Sequence, residues 1–313
     1  MTPPDDIAAA APPSPGGSEA FDLGAFDLTT ARDAAGPVVF ASPHSGALRP
    51  QDLNPSPGLS EASLRSAEDV FVDRLIATGP DHGAPVIAGR ISRAYVDLNR
   101  DPGELDPALI EGVTSDEVSA KTAAGFGVIP RRSGDGMALH DRRISLAEAT
   151  ARLEAVHAPY HAALAGLMAQ ARARHGRAIL IDWHSMPSRA AGGRSRTGGA
   201  AGRAVRGLDV ILGDRYGSSC DARLTRRLRS LFEGLGWRVG LNQPYAGGYS
   251  TQTWGRPDEG YHAIQIELNR ALYLDEATLE PSADFERCRK AIQRVIAAVC
   301  AEAWSDEAGS AET

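Results

Sequence analysis

Short apolar runs alternate with longer segments in which apolar residues recur every three or four positions. The runs predict buried strands, and the longer periodic segments predict helices. The predicted strands lie at 37–43, 178–182, 208–212, 237–241 and 262–269, with a further β-rich stretch at 85–98. The predicted helices lie at 69–78, 146–175, 222–235 and 283–303. This alternation favours an α/β fold with a mixed, mostly parallel central sheet and helices on both faces, in which ligands bind at the carboxyl ends of the strands.

The ends of the chain differ in composition from its middle. Residues 1–20 are rich in Pro, Ala and Gly, which predicts a disordered N-terminal tail. We expect a single catalytic domain at 21–305 and a flexible C-terminal tail at 306–313. With 313 residues and 42% hydrophobic content, the chain can bury a full core.

Charge and hydropathy exclude several classes of protein. A net charge of −7 argues against nucleic-acid binding, and the basic patch Arg223, Arg226, Arg227 and Arg229 is interpreted as a solvated helix face. Apolar runs stay far below the ~20 residues of a membrane span, and the N-terminus lacks the features of a secretory signal, so we expect a cytoplasmic protein that binds no membrane. Three widely spaced cysteines predict free thiols, and the Gly-rich segment within 190–207 has no nucleotide-binding fingerprint.

Four polar clusters follow the apolar runs, at 42–46, 97–100, 182–185 and 267–270. Two histidines at strand ends and one carboxylate form a typical catalytic zinc site, which leaves one coordination position to water. His44 and His184 are the candidate histidine ligands. Asp69 is the preferred carboxylate, with Glu68 as the alternative. Asp182 lies two residues before His184, on the same strand face, and could orient that imidazole.

Each of these residues also has a structural explanation. A lone histidine after a proline is commonly a hydrogen-bonded loop residue, and acidic side chains at a helix start are favoured by the helix dipole without any function. The remaining histidines are interpreted as structural, with His140 and His262 as possible pocket residues.

Taken in order, the motifs resemble the N-formylglutamate amidohydrolase family over about 37–273. Any one of them is weak, whereas their fixed order is a strong signal. They are Ser-Pro-His-Ser-Gly, Asp-x-x-Val-Asp-x-Leu, Asp-Leu-Asn-Arg, Pro-Tyr-His, Asp-x-His-Ser, Leu-Gly-Asp-x-x-Gly-x-Ser-Cys, Asn-x-Pro-Tyr-x-Gly-Gly and His-Ala-Ile-Gln-Ile-Glu.

The resemblance implies a fold related to zinc carboxypeptidases and acyl-amino-acid deacylases. It implies one Zn²⁺ per chain on His44, Asp69 and His184, Glu267 as the base that acts on water, and Asn99 with Arg100 as a clamp on a substrate carboxylate. The chain departs from the carboxypeptidase pattern at Ala47, where those enzymes place the acidic ligand. The acid must then come from the following helix.

The implied reaction is hydrolysis of N-formyl-L-glutamate to formate and L-glutamate, in amino-acid degradation. Zinc would activate the water, and Arg93 would help to hold the developing oxyanion. The partner is thus a small acidic N-acyl amino acid, and the sequence leaves the oligomeric state open. The other candidate substrate-binding residues are arginines for a second carboxylate and members of a Gly-rich loop that could close over the ligand. They are Arg49, Arg93, Arg256, Asn242, Tyr245 and Thr251.

Two other hypotheses share the same metal site. One is a deacylase for N-acetyl or N-succinyl amino acids or short acidic peptides. The other is a metal-binding protein without turnover, in which the ligands hold a closed structural zinc. Glu267 argues against the hypothesis of a structural zinc, because a structural site has no use for an additional carboxylate beside an open coordination position.

Overall fold

A computed structural model of the chain describes residues 24–31, 36–114, 118–192 and 207–304. The predicted tails at 1–20 and 306–313 lie outside the described residues, as does most of the Gly/Arg-rich segment at 190–207. Among the described residues, no helix combines the length and the apolar character needed to cross a bilayer.

Seven strands form the central sheet, in the order β1-β3-β2-β6-β9-β7-β8. Neighbouring strands are parallel except for β1 with β3 and β7 with β9. The predicted mixed, mostly parallel sheet is therefore confirmed. The strands of this sheet are β1 (Phe26–Thr29), β2 (Val38–Ser42), β3 (Val86–Gly89), β6 (Ala178–Met186), β7 (Val210–Gly213), β8 (Val239–Leu241) and β9 (Tyr261–Asn269). Two small sheets have two strands each. One pairs β4 (Ile110–Glu111) with β5 (Ile144–Ser145), and the other pairs β10 (Leu274–Asp275) with β11 (Glu280–Pro281).

Helices cover both faces of this sheet. On one face, α2, α6 and α8 pack against side chains such as Phe40, Ile181 and Ile266. On the other face, α4 and α5 pack against side chains such as Ala41 and Leu180. The helices are α1 (Glu61–Arg65), α2 (Val72–Ile76), α3 (Ala120–Ala123), α4 (Leu146–Arg152), α5 (Ala158–His175), α6 (Ala222–Gly234), α7 (Tyr249–Trp254) and α8 (Phe285–Cys300).

The two central strands β6 and β9 are nine residues long and buried almost throughout. Apolar side chains on both faces are typical of a parallel strand covered by helices on each side. Pairing aligns Asp182 with Gln265 and His184 with Glu267. Because alternate residues of a strand share a face, these four polar side chains project from the same face at the carboxyl end of the sheet.

Several predicted boundaries differ from the structure. The helix predicted at 69–78 begins only at Val72, because Phe71 adopts a left-handed backbone conformation with φ of 65°. Asp69 therefore lies in the turn that precedes α2. In the β-rich stretch 85–98 only Val86–Gly89 is a strand, and the helix predicted at 146–175 contains a π turn at Leu153–His157.

The basic patch on α6 contacts acidic and aromatic side chains at the surface. Arg223 and Arg227 both pair with Glu302, and Arg223 lies over the Trp304 ring. The cysteines are free thiols, as predicted.

Candidate metal centre and active site

Three neighbouring elements bring the predicted metal ligands together. His44 follows β2 by two residues, His184 lies near the end of β6, and Asp69 lies in the turn before α2. β2 and β6 are adjacent and parallel, so their carboxyl ends meet at the same edge of the sheet. The Asp69 backbone N–H donates to the His44 carbonyl at 2.9 Å, which fixes the turn beside the first histidine.

The ligand atoms of this His-Asp-His triad face one another. His44 Nδ1 lies 3.1 Å from His184 Nδ1, and Asp69 Oδ2 lies 3.4 Å from the former and 3.0 Å from the latter. Tetrahedral coordination at the usual zinc–nitrogen and zinc–oxygen bond lengths separates two ligand atoms by about 3.3 Å. All three side chains are buried. The donor set and its spacing therefore fit a divalent cation such as zinc.

A second carboxylate lies behind each histidine. His44 Nε2 is 2.7 Å from Asp97 Oδ1, and His184 Nε2 is 3.0 Å from Asp182 Oδ2. The hydrogen bond between His44 Nε2 and Asp97 fixes the tautomer in which Nδ1 of His44 keeps its lone pair, and metal-binding histidines commonly have such a partner. The sequence predicted this arrangement for Asp182 but not for Asp97.

Arg270 and Ser185 hold the other oxygen of Asp69. Arg270 Nη2 lies 3.4 Å from Asp69 Oδ1, and the Ser185 hydroxyl donates to the same oxygen at 3.2 Å. Arg270 also donates to the Glu68 carbonyl at 2.7 Å. These contacts leave Oδ2 directed at the histidines.

Neighbouring charges shift the pKa of three buried members of this network, Asp69, Asp97 and His184. Burial alone would raise the pKa of Asp69, but His184 and His44 hold it far below its ordinary value. Burial would likewise raise the pKa of Asp97, but Arg93 and His44 hold it well below the usual range. Burial alone would lower the pKa of His184, but Asp182 and Asp69 raise this pKa well above its ordinary value. Both acids are therefore carboxylates, ready to compensate positive charge.

Glu267 lies beside His184 on the neighbouring strand. Burial raises the pKa of Glu267 to about 7, with the nearby positive charge of His184 opposing this shift and the negative charge of Asp69 supporting it. Gln265 donates to Glu267 Oε1 at 2.7 Å, and its own carbonyl oxygen accepts from Asn99 Nδ2 at 3.2 Å. In the described part of the chain no salt bridge involves this carboxylate, and Arg270, three residues farther along, contacts Asp69 instead.

Asn99 connects the strand ends to a Gly-rich loop. Its side-chain nitrogen lies 3.2 Å from His184 Nε2, and its side-chain oxygen accepts from the Ser250 backbone N–H at 3.0 Å. A Cβ on Gly248 would clash with Asn99 Nδ2, so only glycine allows this close approach. His157 and His161 contact the carbonyls of Arg100 and Leu98 at 2.9 and 2.8 Å. The Asp-Leu-Asn-Arg segment is thus held from several sides.

These residues surround a cavity of about 390 Å³ at the carboxyl ends of the strands. Small-molecule sites commonly occupy clefts of this size. The cavity is lined by eight residues of the predicted site: His44, Asp69, Arg93, Asn99, Arg100, His184, Tyr245 and Glu267.

The structure does not place the other four predicted substrate-binding residues on this cavity. Arg49 pairs with Glu61, and Arg256 pairs with Glu259 while lying over the Tyr261 ring. Two members of the Gly-rich region have local roles instead, as the Asn242 side chain caps the turn after β7 and the Thr251 hydroxyl donates to the Gly248 carbonyl.

Glu68, the alternative ligand, points away from the triad. Its carboxylate lies 3.0 Å from Arg65 Nε and accepts from the Ser92 hydroxyl at 3.0 Å. Two other histidines were predicted as possible pocket residues. His140 does not line the cavity beside the triad, and His262 lines a separate cavity together with Arg177 and Asp221.

Three basic residues of the lining were not predicted from the sequence: Lys121, Arg132 and Arg189. The amino-acid composition did contain a signal for Lys121. Of the 33 basic residues in the chain only two are lysines, at 121 and 290, so a lysine in a polar, Gly-rich region stands out.

Comparisons with known proteins identify the family of the chain. The sequence model of the N-formylglutamate amidohydrolase family matches residues 36–274. An N-formylglutamate deformylase of Pseudomonas aeruginosa is 30% identical over 270 residues, covering 83% of this chain and 91% of that protein. A Pseudomonas putida protein of the same name is 30% identical over 243 residues, covering 77% of this chain and 82% of its own length.

Solved structures extend this likeness to the fold. The crystal structure of an N-formylglutamate amidohydrolase from Ralstonia eutropha superimposes with a TM-score of 0.80 at 31% identity, covering 89% of this chain and 98% of the other. A protein from Agrobacterium tumefaciens shares the fold at 20% identity, with a TM-score of 0.57 and coverage of 88% and 96%. The chain belongs to the N-formylglutamate amidohydrolase family and is a hydrolase that acts on an amide bond.

Proposed function

We propose that this enzyme hydrolyses N-formyl-L-glutamate to formate and L-glutamate with one zinc ion bound by His44, Asp69 and His184. The observation that carries the proposal is the spacing of the three ligand atoms, 3.0–3.4 Å apart, beside the buried carboxylate of Glu267. The deformylase names of the relatives at 30% identity support the choice of substrate.

The residues around the triad suit this cofactor. When bound, zinc would act as a Lewis acid and lower the pKa of a coordinated water to about 7. Asp97 keeps Nδ1 of His44 free to coordinate, Asp182 places a negative charge 3.0 Å behind His184, and Arg270 directs Asp69 toward the same point.

Glu267 is the proposed general base. It takes a proton from the attacking water and returns this proton to the departing amine nitrogen, because an amide releases its amine readily only when the nitrogen is protonated. A general base works best with a pKa near the working pH, and burial raises the pKa of Glu267 to about 7. Positive charge bound at the triad would favour its carboxylate form.

Arg93 and Arg100 are proposed to bind the negative charges of the substrate and of the transition state. Arg93 lies on the cavity wall with 27% of its side chain exposed, and Asp97 holds its guanidinium through contacts at 2.8 and 3.1 Å. A held guanidinium stabilises a developing oxyanion with little reorganisation. Arg100 has two looser ion pairs, at 3.7 and 3.8 Å, and can exchange them for a carboxylate.

The direct test is product release from matched substrates. We expect purified, zinc-loaded enzyme to release formate from N-formyl-L-glutamate much faster than it releases acetate or succinate from the corresponding acyl-glutamates. Formate is measured with formate dehydrogenase, and glutamate by chromatography. Faster release of acetate or succinate would instead identify a deacylase with another acyl specificity.

The carboxylate behind His44 gives a second test. Replacing Asp97 with Asn is expected to lower zinc affinity or kcat/KM by about 10- to 100-fold, as is typical when the outer partner of a metal-bound histidine is lost. The near-isosteric amide removes the negative charge beside His44 and Arg93 but preserves the volume. Zinc affinity is measured by competition with a chelating dye. The surface variant Asp275→Asn is the control, and an Asp97→Asn enzyme with unchanged affinity and turnover would contradict the assigned role.

A further inference from the structure

The cavity beside the His-Asp-His triad carries an excess of positive charge, although the protein as a whole is acidic. Its lining contains six cationic side chains and three acidic ones, whereas the whole chain has a net charge of −7. Such a cleft concentrates anions from solution. The acidic side chains are Asp69, Asp97 and Glu267, and the cationic ones are Arg93, Arg100, Lys121, Arg132, Arg189 and Arg270.

The two cations nearest the triad compensate the acids of the site itself. Arg93 donates twice to Asp97 Oδ2, and Arg270 contacts Asp69 Oδ1 and the Glu68 carbonyl. They hold groups of the enzyme in place. Recognition of a second substrate charge therefore falls to cations farther from the metal.

A chain of contacts leads outward from the triad to α3. Asp97, behind His44, lies 3.7 Å from Arg100 Nε, and Arg100 Nη1 lies 3.8 Å from Glu104 Oε2. The same Glu104 oxygen accepts from the hydroxyls of Ser119 and Thr122, at 2.8 and 3.0 Å. Glu104 thus positions the short helix α3 against the Arg100 side of the cavity.

Lys121 projects from this helix at the mouth of the cavity. Its side chain lines the cavity and is exposed, and none of the hydrogen bonds or ion pairs described for the structure involves its ammonium group. Partial desolvation, together with repulsion from Arg100 and Arg93, lowers the pKa of Lys121. Asp97 and Glu104 oppose this shift from a distance, but neither forms a salt bridge with Lys121, so its ammonium is suited to an anionic ligand.

We propose that Lys121, together with Arg100, binds the substrate carboxylate that lies farther from the scissile amide, and thereby selects N-acyl amino acids with an acidic side chain. This assignment rests on the proposed function and specifies its substrate class. Lysine presents its charge on a flexible four-carbon stem, so it can follow a carboxylate at the end of a flexible side chain. Arg49 and Arg256, which the sequence offered for this carboxylate, do not line the cavity.

The test compares a charged substrate with its neutral isostere. Wild type, Lys121→Gln and Lys290→Gln are assayed on N-formyl-L-glutamate and N-formyl-L-glutamine. Lys290 is the other lysine of the chain and lies exposed on α8, outside the cavity lining, so it is the matched control. We expect Lys121→Gln to lower kcat/KM for formylglutamate by about 10- to 100-fold, mainly through KM, since a charge-assisted hydrogen bond to the carboxylate is lost.

Turnover of formylglutamine by Lys121→Gln should stay within about twofold of wild type, because that substrate lacks the charge that Lys121 recognises. Lys290→Gln should match wild type on both substrates, and Lys121→Arg should restore most of the preference for formylglutamate. An equal loss on both substrates would show that Lys121 acts through the fold, and an unchanged preference would show that it does not contact the carboxylate. Either outcome overturns the assignment.

A binding measurement separates this inference from the reaction itself. Wild-type enzyme that releases no formate from either substrate would refute the proposed function. Titration calorimetry with glutarate, a dianion, and butyrate, a monoanion, then tests the carboxylate site alone. Tighter binding of glutarate than of butyrate that disappears in Lys121→Gln supports the site, and equal glutarate binding by wild type and variant refutes it.

Discussion

Replacing Glu267 with Gln is expected to reduce kcat for N-formyl-L-glutamate by about 10²- to 10⁴-fold, the usual contribution of a general base. The amide has the same shape and can still accept the hydrogen bond that Gln265 donates at 2.7 Å. It cannot take a proton from water. Bound zinc should stay at one ion per chain, because Glu267 is not part of the His-Asp-His triad. Stopped assays with long incubation measure the residual rate, and elemental analysis measures the metal.

A matched control is the same substitution at Glu61. This acid is largely exposed and pairs with Arg49, away from the cavity lining. Glu61→Gln should therefore match wild type in both turnover and metal content. Normal turnover by Glu267→Gln would show that Glu267 is not the base of the reaction. Loss of zinc from Glu267→Gln would instead make Glu267 a metal ligand.

The sequence predicted the parts of the site that lie on buried strands. His184 and Glu267 follow continuous apolar runs, and a strand of that composition in an α/β fold ends at the edge where ligands bind. Parallel pairing then determines which side chains are neighbours. The register that places His184 beside Glu267 is a consequence of two almost fully buried strands in adjacent positions.

The choice between Glu68 and Asp69 could not be made from the pattern of the chain. Both precede the same helix and both are buried. The left-handed conformation of Phe71 and the hydrogen bond from Asp69 N–H to the His44 carbonyl decide which carboxylate reaches the histidines. Both features depend on the tertiary structure, so the hydrophobic periodicity of the sequence does not predict them.

Long-range pairing explains the other residues that the sequence could not assign. Asp97 reaches His44 across 53 residues of the chain, and such a contact has no local signature. Conversely, Arg49 and Arg256 were attractive for a carboxylate but pair with acids 12 and 3 residues away. Lys121 belongs to a four-residue helix whose position depends on the hydrogen bonds to Glu104.

Glu68 and Asp69 are adjacent acids, so replacing each one separately with its amide tests which of the two binds the metal. Asp69→Asn is expected to lose zinc, since an apparent binding free energy of about 10–16 kcal/mol is shared among a few ligands and the loss of one should weaken binding about 100-fold or more. Glu68→Gln should retain the metal because its carboxylate contacts Arg65 and Ser92. Protein purified without chelator is analysed for zinc by mass spectrometry, and activity is measured before and after treatment with chelator.

His184→Ala belongs in the same series, because it removes one of the three proposed zinc ligands. It also leaves the buried carboxylate of Asp182 without the histidine that pairs with it and removes one of the partners of Asp69, which costs several kcal/mol of folding stability in its own right. Thermal melting of all variants with and without added zinc separates the two effects. Wild type and Glu68→Gln should melt at higher temperature with zinc, whereas Asp69→Asn and His184→Ala should not respond, since binding to the folded state alone raises its stability. A zinc-dependent shift that survives in Asp69→Asn and disappears in Glu68→Gln would move the acidic ligand by one residue and would require the turn before α2 to adopt another conformation.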